Sequence, residues 1–175
     1  CLIGLFGCQT HNANYNSRLA HHSPSGFSNN YPGREPDMHD FFRWQWNRLL
    51  KPKPEHRADL VSWQAVNLNQ IHSTQGRSAT WLGHASVLIK SDGIHVLTDP
   101  IFSERASPVS WLGPKRIKPL PVDPANLPRI DAVVISHNHY DHLDLPSLKR
   151  LNSQAGGPPL FVVPLGNAEL LKRQG

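Results

Sequence analysis

The sequence predicts a layered domain that mixes strands and helices, either α+β or α/β. The order of the elements indicates this, because three short apolar strands come first and are followed by strand, helix, strand and helix. The predicted strands span 79–82, 85–89, 94–98, 131–136 and 159–164, and the predicted helices span 36–50, 144–152 and 167–173. Asp92-Gly93 is typical of a tight turn between two strands, and Asp144 is typical of a helix N-cap. The strand at 159–164 is apolar on both faces, which predicts a sheet covered on both sides.

Composition excludes several classes of protein. The 175 residues are 38% hydrophobic and 18% charged, which suits one ordinary domain or a piece of one. The net charge of +5 is spread along the chain, so no basic arm indicates nucleic acid as a partner. Both cysteines lie near the N terminus, which excludes a disulfide framework and a cysteine-rich zinc finger. The sequence lacks an apolar run of about 18 residues, the length that a transmembrane helix needs.

The N-terminal residues are typical of export. Residue 1 is Cys rather than Met, so we expect a fragment of a longer translation product. Residues 1–8 look like the end of a secretory signal, and the Gly-Cys pair that ends at Cys8 resembles a bacterial lipobox. Acylation of Cys8 would anchor an outer-membrane lipoprotein on the periplasmic side, with Gln9 favouring the outer membrane. Residues 9–35 predict a flexible tether. The alternative is a disordered N terminus in which the Gly-Cys pair is accidental.

Residues 36–76 predict a helical extension that precedes the main domain at 77–175. Apolar and aromatic side chains recur at helical spacing in the helix at 36–50, which either packs on its own domain or lies on a membrane surface. Residues 51–73 are interrupted by Pro and Asn, and we expect them to form connecting structure. The chain ends one helix after an apolar strand, so we expect the domain to be truncated at its C terminus.

A cluster of metal-binding side chains follows the strand at 131–136. The sequence from His137 to His142 holds three imidazoles and one carboxylate, which are the ligands that zinc prefers. In an extended backbone, positions 137, 139 and 141 point to one side and 142 points elsewhere, so one short loop could supply two neighbouring metals, His137 and His139 to one and Asp141 and His142 to the other. The alternative is a polar loop whose histidines have ordinary hydrogen-bond partners and bind no metal. A catalytic zinc takes three protein ligands, so further ligands are needed. His84 could reach the site, His95 is expected on the solvent face, and we expect the missing ligands beyond residue 175.

Four motifs are similar to those of a known family. They are Thr80–Ser86, Leu97–Arg116, Leu127–Asp144 and Phe161–Gly166. Together they resemble the metallo-β-lactamase superfamily, and within it the N-acylphosphatidylethanolamine-hydrolysing phospholipase D-like branch. The resemblance implies an α+β fold, namely the N-terminal half of an αβ/βα sandwich truncated at its C terminus. It also implies two Zn²⁺ ions per full-length chain, one on His137 and His139 and one on the catalytic pair Asp141 and His142.

The resemblance also assigns supporting roles. Asp99 would hydrogen-bond behind the metal ligands, where the alternative is a plain turn-former before Pro100. His84 is expected in a similar supporting position. In the long loop after Asp99, three basic side chains could meet an anionic headgroup, or could simply be solvated. They are Arg105, Lys115 and Arg116.

The function implied is a zinc-dependent hydrolase of the phospholipase D type. Hydroxide held by two zinc ions would cleave the phosphodiester of an N-acylated ethanolamine phospholipid. The expected partners are therefore a phospholipid substrate and, through the anchor, a membrane surface. One alternative is a hydrolase of the same fold that acts on a soluble ester, lactone or phosphodiester. The other is a lipid-anchored, non-catalytic binding protein. We expect the fragment itself to bind zinc weakly and to be inactive.

Overall fold

The computed structural model describes residues 11–31, 33, 37–51 and 58–173, and it divides the chain into two units, residues 1–56 and residues 57–175. The signal remnant at 1–8, with the predicted lipidation site at Cys8, lies outside the described residues. Among the described residues, the helices fall short of the length and apolarity that a bilayer crossing requires.

The first unit contains a short hairpin and one helix. Strands β1 (His22–Ser23) and β2 (Gly26–Phe27) pair antiparallel, within the stretch predicted as a tether. The amide of Asn12 donates to the carbonyl oxygens of both strands.

Helix α1 spans Met38–Leu50, as the apolar spacing predicts. The side chain of Asp37 accepts a hydrogen bond from the backbone N–H of Asp40 and so caps its first turn. No residue of α1 is buried, and its aromatic side chains include Trp46, which is 64% exposed.

The second unit is built around one five-stranded sheet. Its strands are β3 (Ser78–Gly83), β4 (Ser86–Ser91), β5 (Ile94–Thr98), β6 (Ala132–Val134) and β7 (Leu160–Val162), and its helices are α2 (Leu68–Ser73), α3 (Leu145–Asn152) and α4 (Asn167–Lys172), with 3-10 turns at Ala58–Leu60 and Pro124–Asn126. The strands lie side by side in chain order. The pairs β3·β4 and β4·β5 are antiparallel, while β5·β6 and β6·β7 are parallel. All five predicted strands are therefore present.

The hydrophobic core lies on one face of this sheet. Leu88, Leu97 and Val133 occupy neighbouring positions of β4, β5 and β6, and each is at least 98% buried. Leu148 and Leu151 of α3 belong to the same cluster, so this helix covers that face. Apolar burial of this kind is the main stabilising contribution in the unit.

The opposite face of the sheet is apolar but exposed. Trp81, Ile89, Val134, Leu160 and Val162 alternate with the core positions and are each at least 36% exposed. The prediction that β7 is covered on both faces is therefore wrong for the described residues, where only Phe161 of β7 packs against the core. The sequence of a strand shows that both of its faces are apolar. Whether a face is buried depends on whether another element packs against it.

The sequence also failed to predict α2. Its only buried residue is Ile71, so the helix lacks the repeated apolar positions that identify a helix. The side chain of Asn67 caps it by accepting from the backbone N–H of Gln70. Because Ile71 lies in the core of the second unit, the fold of this unit begins well before the predicted boundary at residue 77.

Candidate metal centre

The candidate site lies where two parallel strands end. Thr98 of β5 is paired with Val134 of β6, and the backbone N–H of the next residue, Asp99, donates to the carbonyl oxygen of Val134 at 2.9 Å. Ser136 lies just past the end of β6. The carboxyl ends of parallel strands meet at one edge of a sheet, so Asp99 and Ser136 become neighbours although they are far apart in sequence.

Asp99 is a buried carboxylate in an uncommon backbone conformation. Its φ is +36°, a left-handed value that is rare for a residue with a side chain, and it is only 6% exposed. Its two carboxylate oxygens accept from the backbone N–H and the hydroxyl of Ser136, both at 2.7 Å, and from Nδ1 of His142 at 2.9 Å. Burial raises the pKa of the Asp99 carboxyl, but these hydrogen bonds from His142 and Ser136 outweigh burial, so its pKa lies below the usual value.

This network assigns the tautomers of two histidines. Because the Asp99 carboxylate can only accept, Nδ1 of His142 carries a proton, and in the neutral ring Nε2 is then the nitrogen with the lone pair. The hydroxyl of Ser136 gives its single proton to Asp99, so at 3.0 Å it accepts from Nδ1 of His137. In the neutral ring of His137, Nε2 then also has the lone pair. Both imidazoles are thus prepared to bind a metal through Nε2.

The loop that carries the ligands is a turn rather than an extended segment. The backbone N–H groups of His142 and Leu143 both donate to the carbonyl oxygen of His139, at 3.0 and 2.8 Å. The premise of an extended backbone is therefore wrong. The turn brings Asp141 and His142 together on one side, and the ring of His137 lies between them and His139, with ring centroids 4.0 Å from His142 and 4.6 Å from His139.

The donor atoms fit a pair of divalent metal ions. Two ligand atoms on one tetrahedral zinc lie about 3.3 Å apart, given bonds of about 2.0–2.1 Å. Nε2 of His137 and Nδ1 of His139 are 3.0 Å apart, and Nε2 of His142 and Oδ2 of Asp141 are 3.4 Å apart. The structure thus brings the four predicted ligands together, and their role as ligands remains a prediction.

His84 joins this cluster from the turn between β3 and β4. Its Nε2 lies 2.9 Å from Oδ2 of Asp141, and with Asp141 and His142 it forms a group whose ligand atoms lie within 4.8 Å of one another. Burial raises the pKa of the Asp141 carboxyl. A hydrogen bond from its own backbone, a hydrogen bond from the side chain of His84 and the nearby charge of His142 lower it by more, so the pKa lies below the usual value. His95 lies elsewhere, 4.0 Å from Asp131, and its side chain is 18% exposed rather than on the solvent face as expected.

The three basic residues predicted to meet a headgroup have partners within their own loop. Arg105 donates to the carbonyl oxygen of Gly113 at 2.7 Å, and Lys115 pairs with Glu104 at 2.8 Å. Arg116 donates to the carbonyl oxygens of Ile101 and Ser103, and burial lowers the pKa of its guanidinium. These contacts hold the loop in shape. Contact with a headgroup remains a prediction for all three.

Asp144 occupies the predicted N-cap position of α3, but its carboxylate does not cap the helix. It accepts instead from the backbone N–H and hydroxyl of Ser103 and from the hydroxyl of Ser147. The carboxylate is 5% exposed and fastens the start of the long loop to the helix that follows the ligand turn. The loop and the ligand turn are therefore tied together.

A large groove opens beside the cluster within the second unit. Its volume is about 1350 Å³, and His84, His139 and Asp141 line one part of it. Apolar and aromatic side chains line much of the rest, among them Trp63, Val66, Ile71, Trp81, Ile101 and Ile117. Lys115, Arg116 and Lys118 add positive charge to its lining.

Comparison with known proteins identifies the family. Residues 95–175 match the family described as "Beta-lactamase superfamily domain". This part of the chain belongs to the metallo-β-lactamase superfamily. The predicted α+β fold, a partial αβ sandwich of this superfamily, is thereby confirmed. Metal-dependent hydrolases occur among the relatives, which supports the predicted class of enzyme.

Three relatives illustrate the similarity. The chain is 43% identical over 111 residues to N-acyl-phosphatidylethanolamine-hydrolyzing phospholipase D 1 of Caenorhabditis elegans, covering 63% of this chain and 31% of that protein. It is 38% identical over 96 residues to the mitochondrial N-acyl-phosphatidylethanolamine-hydrolyzing phospholipase D of Saccharomyces cerevisiae, covering 55% and 20%. A UPF0173 metal-dependent hydrolase of Pyrobaculum islandicum is 33% identical over 63 residues, covering 36% and 23%. The chain therefore spans less than a third of the length of each of these relatives. The first two place it in the N-acylphosphatidylethanolamine-hydrolysing, phospholipase D-like branch.

Sequence reasoning missed Ser136 as part of the site. Its hydroxyl and backbone N–H connect Asp99 with His137, yet a lone serine carries no metal-binding signal of its own. Its position directly between an apolar strand and the first histidine is the signal that could have identified it, because hydrogen-bond partners of metal ligands often lie beside them.

Proposed function

We propose that the protein containing this chain is a zinc-dependent hydrolase that cleaves a phosphodiester bond in N-acylated ethanolamine phospholipids. The observation that carries the proposal is the convergence of potential metal-ligand atoms from His137, His139, Asp141 and His142 after the end of β6. The buried network of Asp99 and Ser136 fixes the two tautomers that this convergence requires.

In the proposed site, four ligand residues would hold the two metal ions. His137 and His139 would hold one ion, and Asp141 and His142 the other. When bound, such ions would supply Lewis acidity and lower the pKa of a coordinated water to about 7. Asp99 keeps Nδ1 of His142 protonated and its ring fixed, so that Nε2 remains available.

The reaction proposed is hydrolysis at phosphorus. An oxygen atom from water forms a bond to phosphorus, and the bond from phosphorus to the ethanolamine oxygen breaks. The leaving oxygen takes up a proton from water, which gives phosphatidic acid and an N-acylethanolamine. The groove beside His139 and Asp141 supports a lipid substrate, because its lining combines apolar and aromatic side chains with lysine and arginine. The similarity to the nematode and yeast phospholipases supports the same substrate class.

The proposal includes attachment to a membrane through an acyl group on Cys8, on the periplasmic side of a bacterial outer membrane. An anchor would hold the enzyme at the surface where its lipid substrate lies. Mass spectrometry of the membrane fraction tests this part separately. Acylated Cys8 supports it, and unmodified Cys8 in membrane-bound protein overturns it without affecting the proposed reaction.

Metal content and substrate preference test the enzymatic part. The gene product that contains this chain is purified, its zinc is measured, and N-acylphosphatidylethanolamine in micelles is compared with a soluble phosphodiester. We expect about two zinc ions per chain and activity that rises steeply with micellar presentation. His139→Ala should lower both zinc content and lipid cleavage, whereas His95→Ala, outside the cluster, should change neither.

Other results would support the alternatives. Equal or better cleavage of the soluble substrate would favour a hydrolase of soluble esters or phosphodiesters. Less than about one zinc per chain in the wild-type protein would favour a non-catalytic binding protein, since metal binding is what the proposed chemistry depends on.

A further inference from the structure

His84 sits in a turn whose backbone is held in an unusual shape. Gly83 has a φ of +110° and His84 a φ of +49°, both in the left-handed region. A residue with a side chain is uncommon there, and such conformations persist where surrounding contacts determine them. The indole Nε1 of Trp81 donates to the carbonyl oxygen of His84 at 2.9 Å, which supplies one of these contacts.

The imidazole of His84 reaches across to the ligand turn. Its Nε2 lies 2.9 Å from Oδ2 of Asp141, 57 residues further along the chain. The same carboxylate oxygen lies 3.4 Å from Nε2 of His142, the proposed metal ligand whose Nδ1 donates to Asp99. Oδ2 of Asp141 therefore has a hydrogen-bond donor on one side and a metal-binding nitrogen on the other.

We propose that His84 is a positioning residue that fixes which carboxylate oxygen of Asp141 binds metal. The proposal rests on the proposed function, because it requires Asp141 and His142 to share a metal ion. A carboxylate oxygen only accepts, so the nitrogen of His84 that faces it carries the proton. A protonated nitrogen cannot ligate a metal. His84 thus acts through Asp141 and is not a ligand itself, although it lies close enough to be mistaken for one.

The test compares two substitutions at one position in the gene product that contains this chain. His84→Ala removes the donor, whereas His84→Gln keeps an amide N–H at similar reach. Both variants place a Cβ at the same left-handed position, so their backbone cost is matched. His95→Gln is the control, since His95 lies near an aspartate outside the cluster. Thermal unfolding shows that each variant folds.

Three readouts separate positioning from ligation. Competition with a chelator gives the affinity for Zn²⁺, and we expect His84→Ala to weaken one of the two sites by about 10- to 100-fold. His84→Gln should recover most of this loss. The visible absorption of the Co²⁺-substituted protein should keep its wavelength and intensity in both variants, because the ligands are unchanged. In an Asp141→Ala background, His84→Ala should cause little further loss.

Three other outcomes overturn the inference, and a fourth concerns the substrate alone. Unchanged Zn²⁺ affinity in His84→Ala would show that the contact positions nothing. Equal losses in both variants, with a shifted Co²⁺ spectrum, would show that His84 is a ligand. A wild-type protein that binds neither Zn²⁺ nor Co²⁺ overturns this inference together with the proposed function. A wild-type protein that binds both metals but leaves the lipid intact overturns only the proposed substrate, and the affinity measurements still decide the role of His84.

Discussion

Substitution of Asp99 by Asn should disable one metal ligand without removing it. The carboxylate accepts from the N–H and hydroxyl of Ser136 and from Nδ1 of His142. An amide at this place offers only one acceptor oxygen. If its NH₂ faces His142, two donors meet and the imidazole must move its proton to Nε2, which blocks metal binding. If the amide is reversed, the NH₂ faces the backbone N–H of Ser136 instead.

The size of the effect follows from the hydrogen bonds that the substitution removes. Each hydrogen bond to a charged group contributes about 1.5–3 kcal/mol, and Asp99 is only 6% exposed, so solvent replaces little of it. A loss of about 1.4–2.8 kcal/mol in binding corresponds to about 10- to 100-fold weaker Zn²⁺ affinity. The assay is chelator competition, together with NMR of the imidazole nitrogens to read the tautomer of His142 in the metal-free protein.

Asp131→Asn provides the matched control. Asp131 also accepts from a backbone N–H, that of His95 at 2.8 Å, but it lies outside the metal cluster. The Asp131→Asn variant should be somewhat less stable than the wild-type protein but bind Zn²⁺ with the same affinity. The reasoning is refuted if Asp99→Asn binds Zn²⁺ as tightly as the wild-type protein while His142 keeps its proton on Nδ1.

Three further substitutions test the site, the core and the long loop. Ser136→Ala should weaken Zn²⁺ binding by about tenfold in chelator competition, because Nδ1 of His137 loses its acceptor. Leu97→Ala should lower the free energy of unfolding in urea by about 2–5 kcal/mol, because Leu97 is fully buried at the centre of the sheet. Gly113→Ala should destabilise by about 1–3 kcal/mol in the same assay, because a Cβ there would lie 2.7 Å from Cβ of Ser107 at a φ of +101°.

Each of these has a control that isolates its cause. Ser91→Ala removes a hydroxyl that donates to an exposed aspartate and should leave Zn²⁺ binding unchanged. Ile89→Ala removes an apolar side chain from the exposed face of the sheet and should cost well under the loss at the core position. Gly76→Ala places a Cβ at a similar left-handed φ of +75° with open space around it, so it reports backbone strain alone. A core or loop variant no less stable than its control would contradict the packing described.

The sequence could predict those features that depend on local pattern. The strands follow from short apolar runs, and the turn between β4 and β5 follows from Asp92-Gly93, whose φ values of +51° and +83° are those that Asp and Gly tolerate. The ligand cluster could be predicted because its members lie within six residues, so no tertiary contact is needed to recognise them.

Features that depend on distant contacts could not be predicted. Asp144 sits where a helix cap belongs, yet Ser103, 41 residues away, takes up its carboxylate instead. Ser136 matters only because Asp99 lies beside it in space. His84 was expected near the site, but its contact with Asp141 depends on a left-handed turn after Gly83 that no spacing rule specifies. In each case a tertiary hydrogen bond decides the role of a side chain whose local signal is weak or points elsewhere.

The register of the sheet fixes the positions of Asp99 and Ser136 relative to each other. Leu97 of β5 lies opposite Val133 of β6, and both are fully buried. A shift of one residue in either strand would turn that strand over and expose its member of this pair, so the core fixes the register strongly. Asp99 and Ser136 lie just past the ends of these two strands, within three residues of that pair. The same burial that stabilises the sheet therefore sets the distance between the carboxylate and the serine, and through them the tautomer of His142. Packing of the core and readiness of the metal ligands are in this way parts of one structural feature.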